Sequence, residues 1–189
     1  MRNIHPNFIV GIGGSAGGLV AFKALVGALS PDTGMAFVIV SHVFPSAASE
    51  LADLLSRCTK MPVSVAATAM PIQPNHVYVS PPNADLFIKG YAFEVVTPRT
   101  PGNGDIDLFL TSLAEAVGAR GVAIIMSGWL SDGTEGCKHI KAKGGTTFAQ
   151  DKTAEVDAMS RNAQAQGCID YVMSPEKMAA KLKRLAKTG

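Results

Sequence analysis

The sequence predicts an α/β fold: a three-layer domain in which helices cover both faces of a mostly parallel, doubly wound sheet. Short apolar runs alternate along the chain with segments whose apolar residues recur at helical spacing. The runs contain few polar residues, which is typical of parallel strands buried on both faces. Two further runs flank a turn at Lys89-Gly90 and predict a small antiparallel hairpin at an edge of the sheet.

The composition indicates one globular domain. The 189 residues are 47% hydrophobic and 17% charged, and the net charge of +2 is too small to indicate nucleic-acid binding. No apolar run is long enough to span a bilayer, and the first residues lack the features of a secretory signal. The cysteines have no metal-ligand spacing, so we expect reduced thiols in a cytoplasmic protein that uses no metal or cofactor.

The first predicted element contains the strongest candidate for chemistry. Residues 8–12 are an apolar run, a glycine-rich turn follows at 13–18, and apolar residues recur at helical spacing from Leu19 to Leu29. Ser15 lies in this turn, at the N-terminus of a helix, where unpaired N–H groups and the helix dipole favour an anion. Because attack by a serine hydroxyl creates an oxyanion, this position suits a nucleophile.

The residues of the turn leave three interpretations open. Residues 11–16 loosely fit the dinucleotide-binding fingerprint, but the second predicted strand ends in Ser41-His42 and not in the acidic residue that this fingerprint requires. Residues 13–17 also fit the G-x-S-x-G elbow of α/β-hydrolases, although that elbow follows several strands and here it follows the first. The simplest interpretation is a glycine turn whose serine caps the next helix.

The later elements are predicted from the same patterns. Apolar or alternating runs predict strands at 35–41, 62–65, 76–80, 86–88, 91–96, 122–127, 146–149 and 171–173. Helical spacing predicts helices that begin at Pro45-Ser46 and at Asp105, that cover 134–143 and 158–166, and that follow Ser174-Pro175. Caps and breakers mark their ends: Asp105 and Asp107 are predicted to cap the third helix, and Gly144-Gly145 to stop the fourth.

Chemistry-bearing residues follow three of the predicted parallel strands. Ser15 follows the first strand, His42 the second and Asp132 the strand at 122–127. Sites in open α/β sheets lie beyond the carboxyl ends of the strands, so we expect these side chains to converge at one edge. A hydroxyl, an imidazole and a carboxylate are the groups of a serine hydrolase triad, in which the base takes the proton of the nucleophile and the acid orients the base.

Six segments, in order, resemble the catalytic domain of the chemotaxis protein-glutamate methylesterases, the CheB family. They are IGGSAGG at 12–18, SHVFP at 41–45, PNHVYVSPP at 74–82, DLF at 107–109, SGWLSDGTEG at 127–136 and GGTTFAQD at 144–151. Together they extend over nearly the entire chain. They are most similar to the esterase module that is fused to a receptor methyltransferase of the CheR type in some bacteria.

The resemblance implies a serine hydrolase that removes methyl esters from glutamate side chains on the cytoplasmic helices of chemoreceptors, and that also deamidates certain receptor glutamines. It implies Ser15 as nucleophile, His42 as general base and Asp132 as the orienting acid, with an oxyanion hole from the backbone N–H groups of Ala16 and Trp129. Methylated chemoreceptors and a CheR-type methyltransferase are the implied partners. Because no receiver domain precedes these motifs, we expect residues 1–189 to form a single catalytic domain.

Three positions depart from the pattern of the family. Ser41 stands where glutamine is common, Trp129-Leu130 replaces a form of the acid loop with small residues, and residues 158–160 read Ala-Met-Ser where Gly-Met-Pro is usual. The change at Trp129-Leu130 keeps an alternative function open: a CheB-like binding or scaffold module with weak or no turnover.

Overall fold

The protein alternates strands and helices in the computed structural model, which describes residues 5–42, 48–102 and 104–188. The strands are β1 (Ile9–Gly14), β2 (Ala36–Ser41), β3 (Val63–Val65), β4 (His76–Val79), β5 (Asp85–Lys89), β6 (Ala92–Val96), β7 (Gly121–Ile125), β8 (Thr146–Gln150) and β9 (Tyr171–Met173). The helices are α1 (Gly18–Ala28), α2 (Ala48–Ser56), α3 (Asp105–Val117), α4 (Thr134–Ala142), α5 (Ala158–Ala165) and α6 (Pro175–Leu185). The predicted start of α2 at Pro45-Ser46 lies outside the described residues.

Seven strands form one sheet in the order β3-β4-β2-β1-β7-β8-β9, and every pairing in it is parallel. The strands β5 and β6 pair antiparallel in a small sheet of their own. Leu86, Ile88 and Phe93 of this hairpin pack into the same core as α3. The predicted α/β class and the hairpin are therefore confirmed, and the hairpin covers α3 and does not extend the large sheet.

Each face of the large sheet buries a separate apolar core. One core holds the apolar sides of α1, α2 and α6, and the other holds those of α3, α4, α5 and the hairpin. Successive residues of a strand point to opposite faces. Accordingly, Val10 and Ile12 of β1 belong to the first core, and Ile9 belongs to the second.

Two glycines of β1 allow α3 to pack very closely on the sheet. A Cβ atom at Gly11 would lie 2.6 Å from Leu110 of α3, and a Cβ at Gly13 would clash with Ile106. Real side chains do not tolerate such contacts, so glycine is required at this close approach. This packing brings the N-terminus of α3 to the edge of the sheet where β1, β2 and β7 end.

Candidate active site

The central strand β1 brings the first two predicted site residues side by side. It pairs with β2 on one side and with β7 on the other. Gly14 is paired with Ser41, so Ser15 and His42 each follow directly after a paired position. Neighbouring strands lie about 4.8 Å apart, and the two residues therefore leave the sheet next to each other.

His42 and Asp132 form a short polar contact at this edge. The Nε2–H group of His42 donates to Oδ2 of Asp132 over 2.7 Å. The side chain of Asp132 is 1% exposed and that of His42 is 13% exposed. A charge-assisted bond that is shielded from water fixes the ring more firmly than an exposed one does. The imidazole is therefore held in one orientation, with Nδ1 left for another partner.

Asp132 is itself held by the first turn of α3. Its Oδ2 accepts from the backbone N–H of Ile106 over 3.0 Å, and its Oδ1 accepts from that of Asp107 over 2.9 Å. N–H groups at a helix N-terminus lack partners within the helix and carry the positive end of its dipole. The helix therefore stabilises the Asp132 carboxylate, and the carboxylate in turn caps the helix.

This arrangement corrects the predicted cap of α3. The residue that precedes the helix is Gly104, which has no side chain with which to cap it. Asp105 and Asp107, which the sequence analysis assigned to capping, have other contacts: Asp105 pairs with Arg99 over 3.1 Å, and Asp107 accepts from the N–H of Gly136 over 2.8 Å. The cap is supplied by another part of the chain, which local sequence patterns do not reveal.

Asp107 adds a second carboxyl group behind Asp132. Burial, and with it the nearby charge of Asp132, raises the pKa of Asp107 to about 6, although the N–H of Gly136 acts in the opposite direction. Burial also raises the pKa of Asp105, and the Arg99 guanidinium beside it offsets part of this effect. The acid that contacts His42 therefore has another titratable carboxyl group as a direct neighbour.

Ser15 is half-buried at the turn between β1 and α1. Its N–H donates to the carbonyl of Ser127 over 2.9 Å, and its own carbonyl accepts from the N–H of Gly18 over 2.8 Å. Its hydroxyl makes no hydrogen bond to any residue within the described ranges. The structure thus joins His42 to Asp132 directly and places Ser15 beside them with its hydroxyl unengaged.

The two predicted oxyanion-hole residues lie on loops that meet at Ser15. A Cβ atom added at Gly128 would come within 3.1 Å of the Cβ of Ser15, so the loop after β7 passes directly against the serine. The N–H groups of Ser15 and Gly128 are bonded to carbonyl oxygens. Those of Ala16 and Trp129 donate to no acceptor in the part of the chain that the structure describes. Within the described ranges, the residue after Ser15 and the residue after Gly128 thus each carry an N–H group without a protein acceptor.

In the altered acid loop, the backbone at Leu130 has a conformation that is typical of glycine. Leu130 has a φ of 66°, in the left-handed region, and its carbonyl accepts from Nδ2 of Asn162 over 2.6 Å. Its side chain is 59% exposed and that of Trp129 is 62% exposed. Leu19 and Val20, near the start of α1, are also exposed. Large apolar side chains are therefore exposed on the segments that follow Ser15 and Gly128 in the chain.

Two residues that support this edge were missed as site residues in the sequence analysis. Ser127 and Gln150 are buried polar residues at the ends of β7 and β8, and the N–H of Ser127 donates to Oε1 of Gln150 over 3.0 Å. Both occur in the quoted motifs, Ser127 as the last residue of a predicted strand and Gln150 as the residue directly after one. The same signal identified Ser15 and His42.

The described ranges contain neither a candidate metal site nor a candidate membrane-spanning helix. No group of three or more His, Cys, Asp or Glu side chains there is arranged to hold a metal ion. No helix in those ranges combines the length and the hydrophobicity needed to cross a bilayer.

Comparison with known proteins places this geometry in a family. The family model described as CheB methylesterase matches residues 10–182. A Leptospira interrogans protein with the provisional name protein-glutamate methylesterase/protein-glutamine glutaminase is 33% identical, and the match covers 92% of each chain. A Burkholderia lata protein with the same activities in its name is 35% identical over 92% of this chain, which spans only 52% of that longer relative.

A solved structure shares the fold as well as the sequence. The crystal structure of the Thermotoga maritima CheB methylesterase catalytic domain superimposes with a TM-score of 0.90 at 29% identity, and the match covers 94% of this chain and 98% of that one. The paired His and Asp beside a serine at the carboxyl edge of a parallel sheet, the family model and the identity to its relatives agree. The chain belongs to the CheB methylesterase family.

Proposed function

We propose that this protein is a protein-glutamate methylesterase that hydrolyses methyl esters of glutamate side chains on chemoreceptors during chemotaxis adaptation. The observation that carries the proposal is the buried 2.7 Å bond between His42 and Asp132 directly beside Ser15. A serine hydroxyl is a weak nucleophile until a base removes its proton, and the acid keeps that base in the required orientation. Family membership supplies the substrate class.

We propose a role for each group that is consistent with this geometry. Because Nε2 of His42 is engaged by Asp132, Nδ1 is the nitrogen that accepts the proton from Ser15. The serine oxygen attacks the ester carbonyl, and the resulting oxyanion is stabilised by the N–H groups of Ala16 and Trp129. When the tetrahedral intermediate collapses, methanol leaves with the proton from His42. Water, activated by the same imidazole, then releases glutamate from the acyl-enzyme.

The same acyl-enzyme accounts for a second proposed activity. If the substrate is a receptor glutamine, attack by Ser15 gives the same glutamyl ester, and ammonia takes the place of methanol as the leaving group. Relatives carry both activities in their names. The proposed partners are the methylated cytoplasmic helices of chemoreceptors and a CheR-type methyltransferase that forms the esters, and these place the enzyme in the cytoplasm.

The alternative is a binding module of the same fold without turnover, and it depends on the Trp129-Leu130 loop. Leu130 retains the left-handed φ of 66° that a glycine would take. The substitution therefore keeps the path of the loop and leaves the N–H of Trp129 free to donate. This favours the esterase over the binding module.

A serine-directed fluorophosphonate probe tests the proposal. Wild-type protein should react at Ser15, and mass spectrometry of the digested protein should locate the adduct there. Ser15→Ala should abolish labelling, and His42→Ala should slow it by at least about a hundredfold because the base is lost. Ser30→Ala removes a surface hydroxyl that is bonded to Asp32, and it is the matched control that should label like wild type. Labelling that survives Ser15→Ala would refute the assignment.

A further inference from the structure

Ser127 belongs to the loop after β7 that carries Trp129, and it contacts the loop that carries Ala16. It is fully buried, with a relative exposure of 0%. Its carbonyl accepts from the N–H of Ser15 over 2.9 Å. Its hydroxyl donates to the carbonyl of Ala16 over 2.7 Å and accepts from the N–H of Val156 over 2.9 Å. One side chain thus bonds at the same time to the nucleophile loop and to the segment before α5.

The bonds to the nucleophile loop fix the direction of the Ala16 N–H group. A trans peptide is planar, so the N–H of Ala16 points opposite to the carbonyl of Ser15. That carbonyl accepts from the N–H of Gly18. Ser127 holds the segment from both sides, through the N–H of Ser15 and the carbonyl of Ala16. The N–H group of Ala16 therefore cannot rotate without breaking these bonds.

Through its bond to Val156, the Ser127 hydroxyl also restrains the loop that carries Trp129. The carbonyl of Val156 accepts from the N–H of Gly128 over 2.9 Å, and Trp129 is the next residue. The carbonyl of Gly128 in turn accepts from the N–H of Met159 over 3.0 Å. The position of Trp129 therefore depends on Val156, and Val156 is bonded to the hydroxyl of Ser127.

We propose that the Ser127 hydroxyl is a positioning group that sets the separation between the N–H groups of Ala16 and Trp129. The inference rests on the proposed function, because the two N–H groups matter only if an oxyanion forms at Ser15. Two donors stabilise an oxyanion fully only when both lie at hydrogen-bond distance from it, and losing one donor costs about 10²–10³-fold in kcat. Displacement of both donors without their loss should cost less, roughly 10–100-fold.

The test compares Ser127→Ala with a matched buried serine. Ser160 is also fully buried and donates to the carbonyls of Ile125 and Met126 over 3.3 and 3.4 Å, where β7 ends, and its hydroxyl makes no bond to residues 15–17 or 128–130. Ser127→Ala should lower kcat for methanol release from methylated chemoreceptor membranes roughly 10–100-fold, with KM changed by less than about twofold. The rate constant for fluorophosphonate labelling should fall in proportion. Ser160→Ala should lower the unfolding temperature and leave both rates unchanged.

The outcomes separate this inference from the proposed function. A Ser127→Ala protein whose kcat and labelling rate match those of Ser160→Ala would overturn the positioning role, as would a rise in KM alone. If Ser127→Ala does not fold, Ser127→Cys keeps the shape of the side chain, with a somewhat larger atom that is a much weaker donor, and should show the same selective loss in kcat. Wild-type protein that labels but releases no methanol would refute the proposed substrate only, and the labelling rates would still decide the role of Ser127. Wild type that does neither would overturn both proposals.

Discussion

At the residue scale, Leu130 occupies a backbone conformation that L-residues other than glycine rarely adopt. Its φ of 66° places the Cβ close to the following carbonyl, which costs roughly 1–2 kcal/mol. The chain retains this strain at a loop that passes directly against Ser15, and strained residues concentrate at functional sites. Trp129 and Leu130 expose large apolar side chains on this loop, which a glycine at the strained position would not do.

Because of this strain, we expect an unusual order of stability for two variants of Leu130, in which glycine is more stable than alanine. Leu130→Ala keeps the Cβ and its strain, whereas Leu130→Gly removes both, so the glycine variant should be the more stable of the two by about 1 kcal/mol. Urea unfolding monitored by circular dichroism measures the difference. Elsewhere in a protein glycine is normally the less stable choice because of its greater freedom in the unfolded chain. An alanine variant that equals or exceeds the glycine variant in stability would contradict the left-handed conformation.

The raised pKa of Asp107 predicts that removing its charge stabilises the folded protein, and that the gain in stability depends on pH. Its pKa is about 6 in the folded protein against an ordinary value of 3.8, so folding favours the protonated acid. Stability from this group is therefore complete below about pH 4, falls as the pH rises through the interval between these values, and is constant above it. An asparagine side chain at this position would mimic the protonated acid at every pH. Because Asp107 is partly exposed, solvent screening limits the gain of Asp107→Asn to about 1 kcal/mol near pH 7.5.

Thermal unfolding of Asp107→Asn beside wild type, measured from about pH 4 to about pH 8, checks this prediction. The melting temperatures of the two proteins should be nearly equal at the acidic end of this range. They should separate as the pH passes about 6, with the variant melting at the higher temperature. A difference of constant size over the whole range, or a variant that melts lower at neutral pH, would show that Asp107 is not protonated preferentially in the folded state.

At the scale of elements, the contact between β1 and α3 connects the core to the candidate site. The glycines of β1 admit the helix, and the first turn of that helix holds Asp132. Gly13→Ala would force Ile106 and the start of α3 away from the sheet. We expect a loss of roughly 1–3 kcal/mol in the free energy of unfolding, which is typical of overpacking, together with a lower kcat.

Gly27→Ala provides the matched control for that element. Gly27 lies in α1, where, among the described residues, an added Cβ would meet only the carbonyl of Cys58 at 3.6 Å, an ordinary contact. Alanine is the better helix former, so this change should stabilise the protein by up to about 1 kcal/mol and leave kcat unaltered. Equal effects of the two substitutions on stability would mean that α3 does not depend on the close approach at β1.

Patterns along the chain predict most of the elements, because each buried strand or amphipathic helix carries its own periodicity. The predicted ranges of β2, β7 and α4 agree with the structure to within about two residues. The cap of α3 was predicted wrongly for a physical reason. Asp132 lies far from the helix in sequence, and its contact with Ile106 spans 26 positions. Local propensity contains no information about such a contact.

At the scale of the whole molecule, the topology decides which chemical groups meet. The order β2-β1-β7 places the ends of three strands next to each other, and this brings His42 to Asp132 across 90 positions of sequence. The residue types that follow the strands predicted Ser15, His42 and Asp132 as a group, and the structure brings His42 and Asp132 into contact. That Ser15 acts with them stays a prediction. The support from Ser127 was not predictable in the same way, because its bond to Ala16 spans 111 positions and depends on how two loops fold over each other.

The central claim is that Ser15, activated by His42 and Asp132, hydrolyses methyl esters on chemoreceptors. The most direct test measures methanol release from methylated chemoreceptor membranes by wild type and by Ser15→Ala, with circular dichroism confirming that both are folded. We predict release by wild type and a rate at least about a thousandfold lower for the variant, since the members of a triad act as a unit. Equal release by the two proteins, or none by folded wild type that has been supplied with methylated receptors, would contradict the claim.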